Sequence, residues 1–181
     1  IMHCNWSSPA YSDDLAGKPT AVFGAGDGVT YGFHGTEFDV EKDGGETYNL
    51  FKELWKVDCC PKEYRVDEAG EAIKYATYPG PSEIISSPVI YNNKVYAAIG
   101  QDPEHGEGVG AVTCIDPSRG TGEDAIVWQF KEVGRTISTP SLADGLLYIA
   151  DYSGRLYCVD AETGENYWEH DTLSHIWGST L

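Results

Sequence analysis

The sequence predicts an all-β fold, a β-propeller of four-stranded blades. Three observations lead there. A pattern of four short strands recurs along the chain. The strands are apolar and aromatic runs bounded by Gly, Pro, Asn, Asp and Ser. Nothing calls for an amphipathic helix, and residues 46–55 alone read as a helical turn.

The third unit is the clearest. Its first strand, 137–142, contains Ser138-Thr139-Pro140. Its second is centred on Leu146-Leu147-Tyr148-Ile149-Ala150, its third on Leu156-Tyr157-Cys158-Val159 and its fourth on Tyr167-Trp168. Residues 160–164 form the turn between the last two, with Gly164 free to take a positive φ. The second unit answers strand for strand with 85–91, 94–99, 111–116 and 126–130. Cys114 falls on Cys158, Asp116 on Asp160 and Trp128 on Trp168. The first unit is more worn, with strands at 6–11, 20–24, 29–33 and 54–58 and Trp55 in the fourth. A fourth unit opens at 176–181.

Blade one with its insertion therefore spans 1–80, blade two 81–134 and blade three 135–173. Residues 174–181 supply the first strand of a further blade. From Pro140 to Trp168 is 28 residues, from Pro88 to Trp128 is 40 and from Pro9 to Trp55 is 46. The surplus falls at 101–109 and 118–124 in unit two and at 36–52 in unit one. These are read as turn insertions, where added chain costs little. A run such as Leu146 to Ala150 lacks polar alternation and so needs cover on both faces. Blades packed face to face provide it. Three blades leave a ring open, since propellers have about 4 to 8. The expected partners are the remaining blades of a larger closed ring, or further copies of the chain.

Charge and cysteines narrow the function. A net charge of −17 repels nucleic-acid phosphates and anionic lipid, so nucleic acid is excluded as a partner. No apolar run is long enough for a membrane span. The five cysteines, Cys4, Cys59, Cys60, Cys114 and Cys158, are odd in number, so at least one is unpaired or bonded to another chain. No Cys-x-x-Cys, haem-attachment Cys-x-x-Cys-His, P-loop or His-Glu-x-x-His occurs. Cys114 and Cys158 occupy matching places in neighbouring blades about 10 Å apart, too far for a disulfide, and are expected to be buried thiols.

Val159-Asp160-Ala161-Glu162-Thr163-Gly164-Glu165-Asn166-Tyr167-Trp168 resembles the tryptophan-docking motif of pyrroloquinoline-quinone (PQQ) repeat propellers. Asp160, Thr163, Gly164 and Trp168 carry the match in unit three, Asp116 and Trp128 in unit two, and Trp55 alone in unit one. The family includes quinoprotein alcohol dehydrogenases and a non-catalytic outer-membrane assembly lipoprotein. Residues 100–110 and 175–179 are also similar to segments of secreted PQQ-binding-like proteins of planctomycete-type bacteria. The resemblance implies that each tryptophan packs between blades, and that the protein is periplasmic or secreted.

Function is less legible. The leading expectation is a non-enzymatic binding or scaffold module with a protein or carbohydrate ligand and no cofactor. The alternatives are a PQQ-dependent dehydrogenase of alcohols or sugars, with calcium and its catalytic residues in other blades, and a structural subunit of a larger complex. By the resemblance, Cys59-Cys60 would be a vicinal disulfide beside the quinone; the plainer reading is two ordinary cysteines in an inter-blade loop. Asp102, Glu104, His105 and Glu107 offer oxygen and imidazole ligands for a metal, or a solvated turn. His170, Asp171 and His175 suggest acid–base or metal chemistry, or a polar loop. Arg135 is expected either to meet an anionic ligand at the axial mouth or to form a salt bridge.

Overall fold

The computed structural model describes residues 5–180, so Cys4 lies outside the described residues. Three antiparallel sheets follow one another, each a four-stranded meander in chain order. Blade one holds β1 (Ala10–Leu15), β2 (Lys18–Gly24), β3 (Val29–Asp43) and β4 (Glu46–Asp58). Blade two holds β5 (Val89–Tyr91), β6 (Lys94–Ile99), β7 (Ala111–Ile115) and β8 (Ile126–Phe130). Blade three holds β9 (Ser141–Ala143), β10 (Leu146–Ala150), β11 (Arg155–Asp160) and β12 (Asn166–Asp171). The only helical elements among the described residues are short 3-10 turns at Lys62–Tyr64, Pro117–Arg119 and Gly122–Ala125. No helix of the described residues is long and apolar enough to cross a membrane. The first strands β1, β5 and β9 lie against one another, which makes them the inner strands of a propeller arc.

The core sits between the sheets. Alternate residues of β6 point to opposite neighbours. Val95, Ala97 and Ile99 pack toward blade one beside Val22, Trp55 and Val57. Tyr96 and Ala98 pack toward blade three beside Leu147, Ile149 and Val159. A central blade has no wet face, so its middle strands have no polar alternation.

Three sequence readings are corrected. Residues 46–55 are not helical but belong to β4, where cross-strand pairing from Asp43↔Glu46 to Phe38↔Phe51 uses Thr47, Tyr48 and Phe51, all residues that suit a strand. The insertion at 36–52 is not an irregular loop but the far half of the β3–β4 hairpin, closed by Gly44 and Gly45 at φ 56° and 88°. The first strands begin later than expected, at Ala10, Val89 and Ser141, because Pro9, Pro88 and Pro140 have no N–H for a ladder. The residues before them bond across blades instead. Ser87 N donates to Thr139 Oγ1 at 3.1 Å, and Thr139 N donates to Ser179 Oγ at 3.1 Å. Residues 174–180 therefore hold the place of a further first strand without forming one.

Candidate functional site

In a meander, successive connections alternate between two ends. One end collects the segments 25–28, 59–88, 100–110, 131–140, 151–154 and 172–180. This loop end receives Cys59, Cys60, the 101–109 loop, Arg135 and His175 together, a convergence that strand order creates and spacing in sequence hides. The other end carries tight turns and the docking-motif turns at 116–125 and 161–165.

The docking motif explains how blades are joined. Asp160 Oδ1 accepts from Glu162 N, Thr163 N and Thr163 Oγ1 at 2.9, 2.8 and 3.1 Å, while Tyr167 OH donates to Oδ2 at 2.7 Å. That ring of donors, Tyr167 first, holds the Asp160 carboxyl below its ordinary range. Gly164 at φ 78° completes the turn. Trp128 of blade two rests on it, so close that a Cβ at Gly164 would stand 2.8 Å from the indole. Trp128 Nε1 and Tyr96 OH both donate to Ala161 O, at 3.2 and 3.0 Å. In the first seam Trp55 is 5% exposed, and Thr121 Oγ1 of blade two accepts from Lys56 N and donates to Lys56 O. Asp116 caps the 3-10 turn at Pro117–Arg119 through Ser118. Trp168 has no following turn among the described residues to rest on and is 43% exposed.

The thiols are structural. Cys59, Cys60, Cys114 and Cys158 are all free and buried. Cys59 Sγ lies 3.1 Å from Thr30 Oγ1, and burial pushes its pKa up to about 12. Burial also raises the Cys60 pKa, and it pushes that of Cys114 up to about 12. Thiols held protonated are poor nucleophiles and poor metal ligands. Beside them Arg65 grips Asp58 through Nε and Nη2, at 2.9 and 2.6 Å, and reaches Asp27 O, which fastens the start of the 59–88 segment to the sheet.

The acidic loop is a turn closed on itself. His105 Nδ1 lies 3.2 Å from Asp102 Oδ2, and Asp102 Oδ1 accepts from Glu104 N at 2.8 Å. Glu107 is held through its backbone, whose N–H donates to Ala76 O. Asp102 and His105 come together, but no three His, Cys, Asp or Glu among the described residues converge as a metal site. His170 and Asp171 lie in β12, and His175 follows it with its Nδ1 2.9 Å from Tyr152 O.

Arg135 departs from the expected salt bridge. Its Nη1 donates to Gly106 O at 2.8 Å, and its guanidinium sits 4.9 Å from the centre of the Tyr152 ring. That ring stacks on His175 at 4.4 Å and meets Trp177 edge-on at 5.2 Å. Guanidinium and rings form one column, because a cation over an aromatic face satisfies charge without a carboxylate. On its other side Arg135 lines a cavity of about 200 Å³ with Tyr64, Tyr78, Gly108 and Lys131. Sequence reasoning also missed the buried pair Glu83 and Gln101, whose Nε2 donates to Glu83 Oε1 at 3.4 Å. Gln101 Oε1 is buried without a partner among the described residues. Nothing local in Pro-Ser-Glu-Ile or Gly-Gln-Asp marks these two residues as buried.

Comparison with known proteins agrees with this architecture. Residues 108–179 match the family model described as outer membrane protein assembly factor BamB. The chain is similar in structure to BamB from Moraxella catarrhalis, with a TM-score of 0.62 at 14% identity over 94% of this chain and 39% of that one. It is also similar to a europium-containing methanol dehydrogenase, with a TM-score of 0.60 at 15% identity over 96% and 36% of the two chains. A third is a quinohemoprotein alcohol dehydrogenase from Comamonas testosteroni, with a TM-score of 0.59 at 14% identity over 94% and 31%. No curated protein matches. The chain spans between 31% and 39% of the length of these structures. It carries a PQQ-like repeat propeller fold.

Proposed function

We propose that the chain is part of an extracytoplasmic PQQ-like propeller that works by binding, as a scaffold for a protein or carbohydrate partner held at the loop end. The observation that carries this reading is the aromatic and cationic surface there. Trp177 and Tyr78 are exposed beside the Arg135–Tyr152–His175 column and its cavity. Aromatic residues and Arg are the side chains enriched where binding energy concentrates. The thiols of the same end are turned inward and held protonated, a state suited to packing. The match of residues 108–179 to a family model described as an outer membrane protein assembly factor supports a protein partner.

The test is photocrosslinking in the source cells from benzoylphenylalanine placed at Tyr78, at Trp177 and, as a control, at Tyr11. Adducts from the first two positions and not from Tyr11 support the reading; their absence at both rejects it. Dye-linked oxidation of alcohols or sugars after addition of PQQ and Ca²⁺ would instead establish a quinoprotein dehydrogenase.

A further inference from the structure

The β3–β4 hairpin extends from the turn end as a two-stranded arm. β2 pairs with β3 only as far as Thr20↔His34. Beyond that the register breaks, and pairing resumes from Phe38↔Phe51 to Asp43↔Glu46 with no third strand among the described residues. His34 stiffens the root of the arm, its Nδ1 accepting from Thr36 N at 3.3 Å and Glu37 N at 3.0 Å.

Cross-strand partners share a face of a ribbon. Phe38 with Phe51, Val40 with Asn49 and Lys42 with Thr47 therefore form one face, which beyond Glu53, opposite Phe33 at its root, pairs no carboxylate. Phe33, Phe51 and Phe38 run along it in sequence, with ring centres 5.7 and 6.0 Å apart. Phe51 is 67% exposed and Val40 65%. The opposite face pairs Asp39 with Leu50, Glu41 with Tyr48 and Asp43 with Glu46. It is a row of four carboxylates on the back of an aromatic strip.

A two-stranded ribbon wet on both faces is marginal by itself, and exposed apolar edges invite pairing unless something covers them. A second copy is a poor cover. The chain has 29 acidic against 12 basic residues, so a second copy would approach against like net charge. We infer that the arm is a docking element for a cationic protein, one that lays an apolar surface on the Phe38–Phe51 face and reaches the Asp39–Glu41–Asp43 row with flanking Lys or Arg. This surface is separate from the loop end and stands whether or not that end binds anything.

The test uses a fluorescein-labelled peptide of alternating Val and Lys, with a Val–Glu peptide as control, and fluorescence anisotropy against the whole chain. The Val–Lys peptide is expected to bind and the Val–Glu peptide not to bind. Phe51→Ser and Val40→Lys should each weaken binding at least tenfold, and Asp39→Asn with Glu41→Gln should do so most at low salt. Because both single substitutions lie outside the core, circular dichroism should show the wild-type strand signal in each. Equal binding by wild type and all variants would overturn the proposal, since it would reflect net charge alone. No binding would also overturn it. So would concentration-dependent self-association abolished by Phe51→Ser, which would make the arm a contact between copies.

Discussion

The face that blade two turns toward blade three and the outward face of blade three are built from the same three positions. Tyr96, Cys114 and Trp128 lie opposite one another across β6, β7 and β8. Tyr148, Cys158 and Trp168 do the same across β10, β11 and β12. Each tyrosine ring meets its tryptophan at about the same distance, 5.9 and 6.1 Å. Yet Tyr96 is fully buried and its hydroxyl bonds to Ala161 O, whereas Tyr148 is only half-buried and Trp168 is exposed. The difference lies outside the triad. It comes from the turn of the following blade, which offers a bare Gly164 and a free carbonyl at Ala161. The tryptophan is half of a joint, and its burial belongs to the neighbour.

This comparison can be broken most sharply at the tryptophans themselves. Trp55→Ala should cost about 3–5 kcal/mol, because it empties a filled seam. Trp168→Ala should change stability by less than about 0.5 kcal/mol, as at an ordinary exposed site. Urea unfolding followed by circular dichroism measures both, and equal losses would show that the motif stabilises its own blade rather than the joint.

Gly164→Ala comes next. The new Cβ would stand in a left-handed conformation and against Trp128, for a loss of about 1–3 kcal/mol. Gly145→Ala, also at positive φ but with open space around it, should lose less; the gap between the two melting curves isolates the contact with the indole. Trp128→Phe removes only the donor to Ala161 O and some ring area, so about 1 kcal/mol is expected, since Tyr96 OH keeps that carbonyl satisfied. A double-mutant cycle with Tyr96→Phe should reveal coupling between the two donors.

The smallest effect is that of acid. The Asp160 pKa is lowered in the folded chain, chiefly by the Tyr167 hydroxyl. Its contribution is therefore present above the unfolded carboxyl pKa of about 3.9 and is lost as pH falls through the lower folded value. Below about pH 4 the difference in stability between wild type and Asp160→Asn should shrink toward zero in a series of denaturation curves. A difference that persists to pH 2 would mean that the turn holds its shape without the charge.

Part of the molecule is legible in the amino-acid sequence. The Asp160–Gly164 turn can be read there because an Asp side chain, a hydroxyl and a Gly at fixed offsets close it locally. The apolar runs at β6, β7, β10 and β11 can be read because a blade covered on both sides needs no polar residue in its middle strands. The arm is half legible. Phe38-Asp39-Val40-Glu41 alternates as a strand does, and Asp43-Gly44-Gly45-Glu46 is a hairpin turn. That signal is masked by the expectation that surplus chain in a repeat is loop.

The candidate site is less legible, since each of its residues is unremarkable alone. Arg135, Tyr152, His175 and Trp177 are separated by up to 42 residues in the chain and meet only because the meander sends their connections to one end. Strand identity, turn chemistry and repeat period were determined by the sequence alone, because dihedral preference and side-chain alternation act over a few residues. Which tryptophan is buried and which loops converge were decided only in the tertiary structure, because each depends on surface contributed by a distant part of the chain.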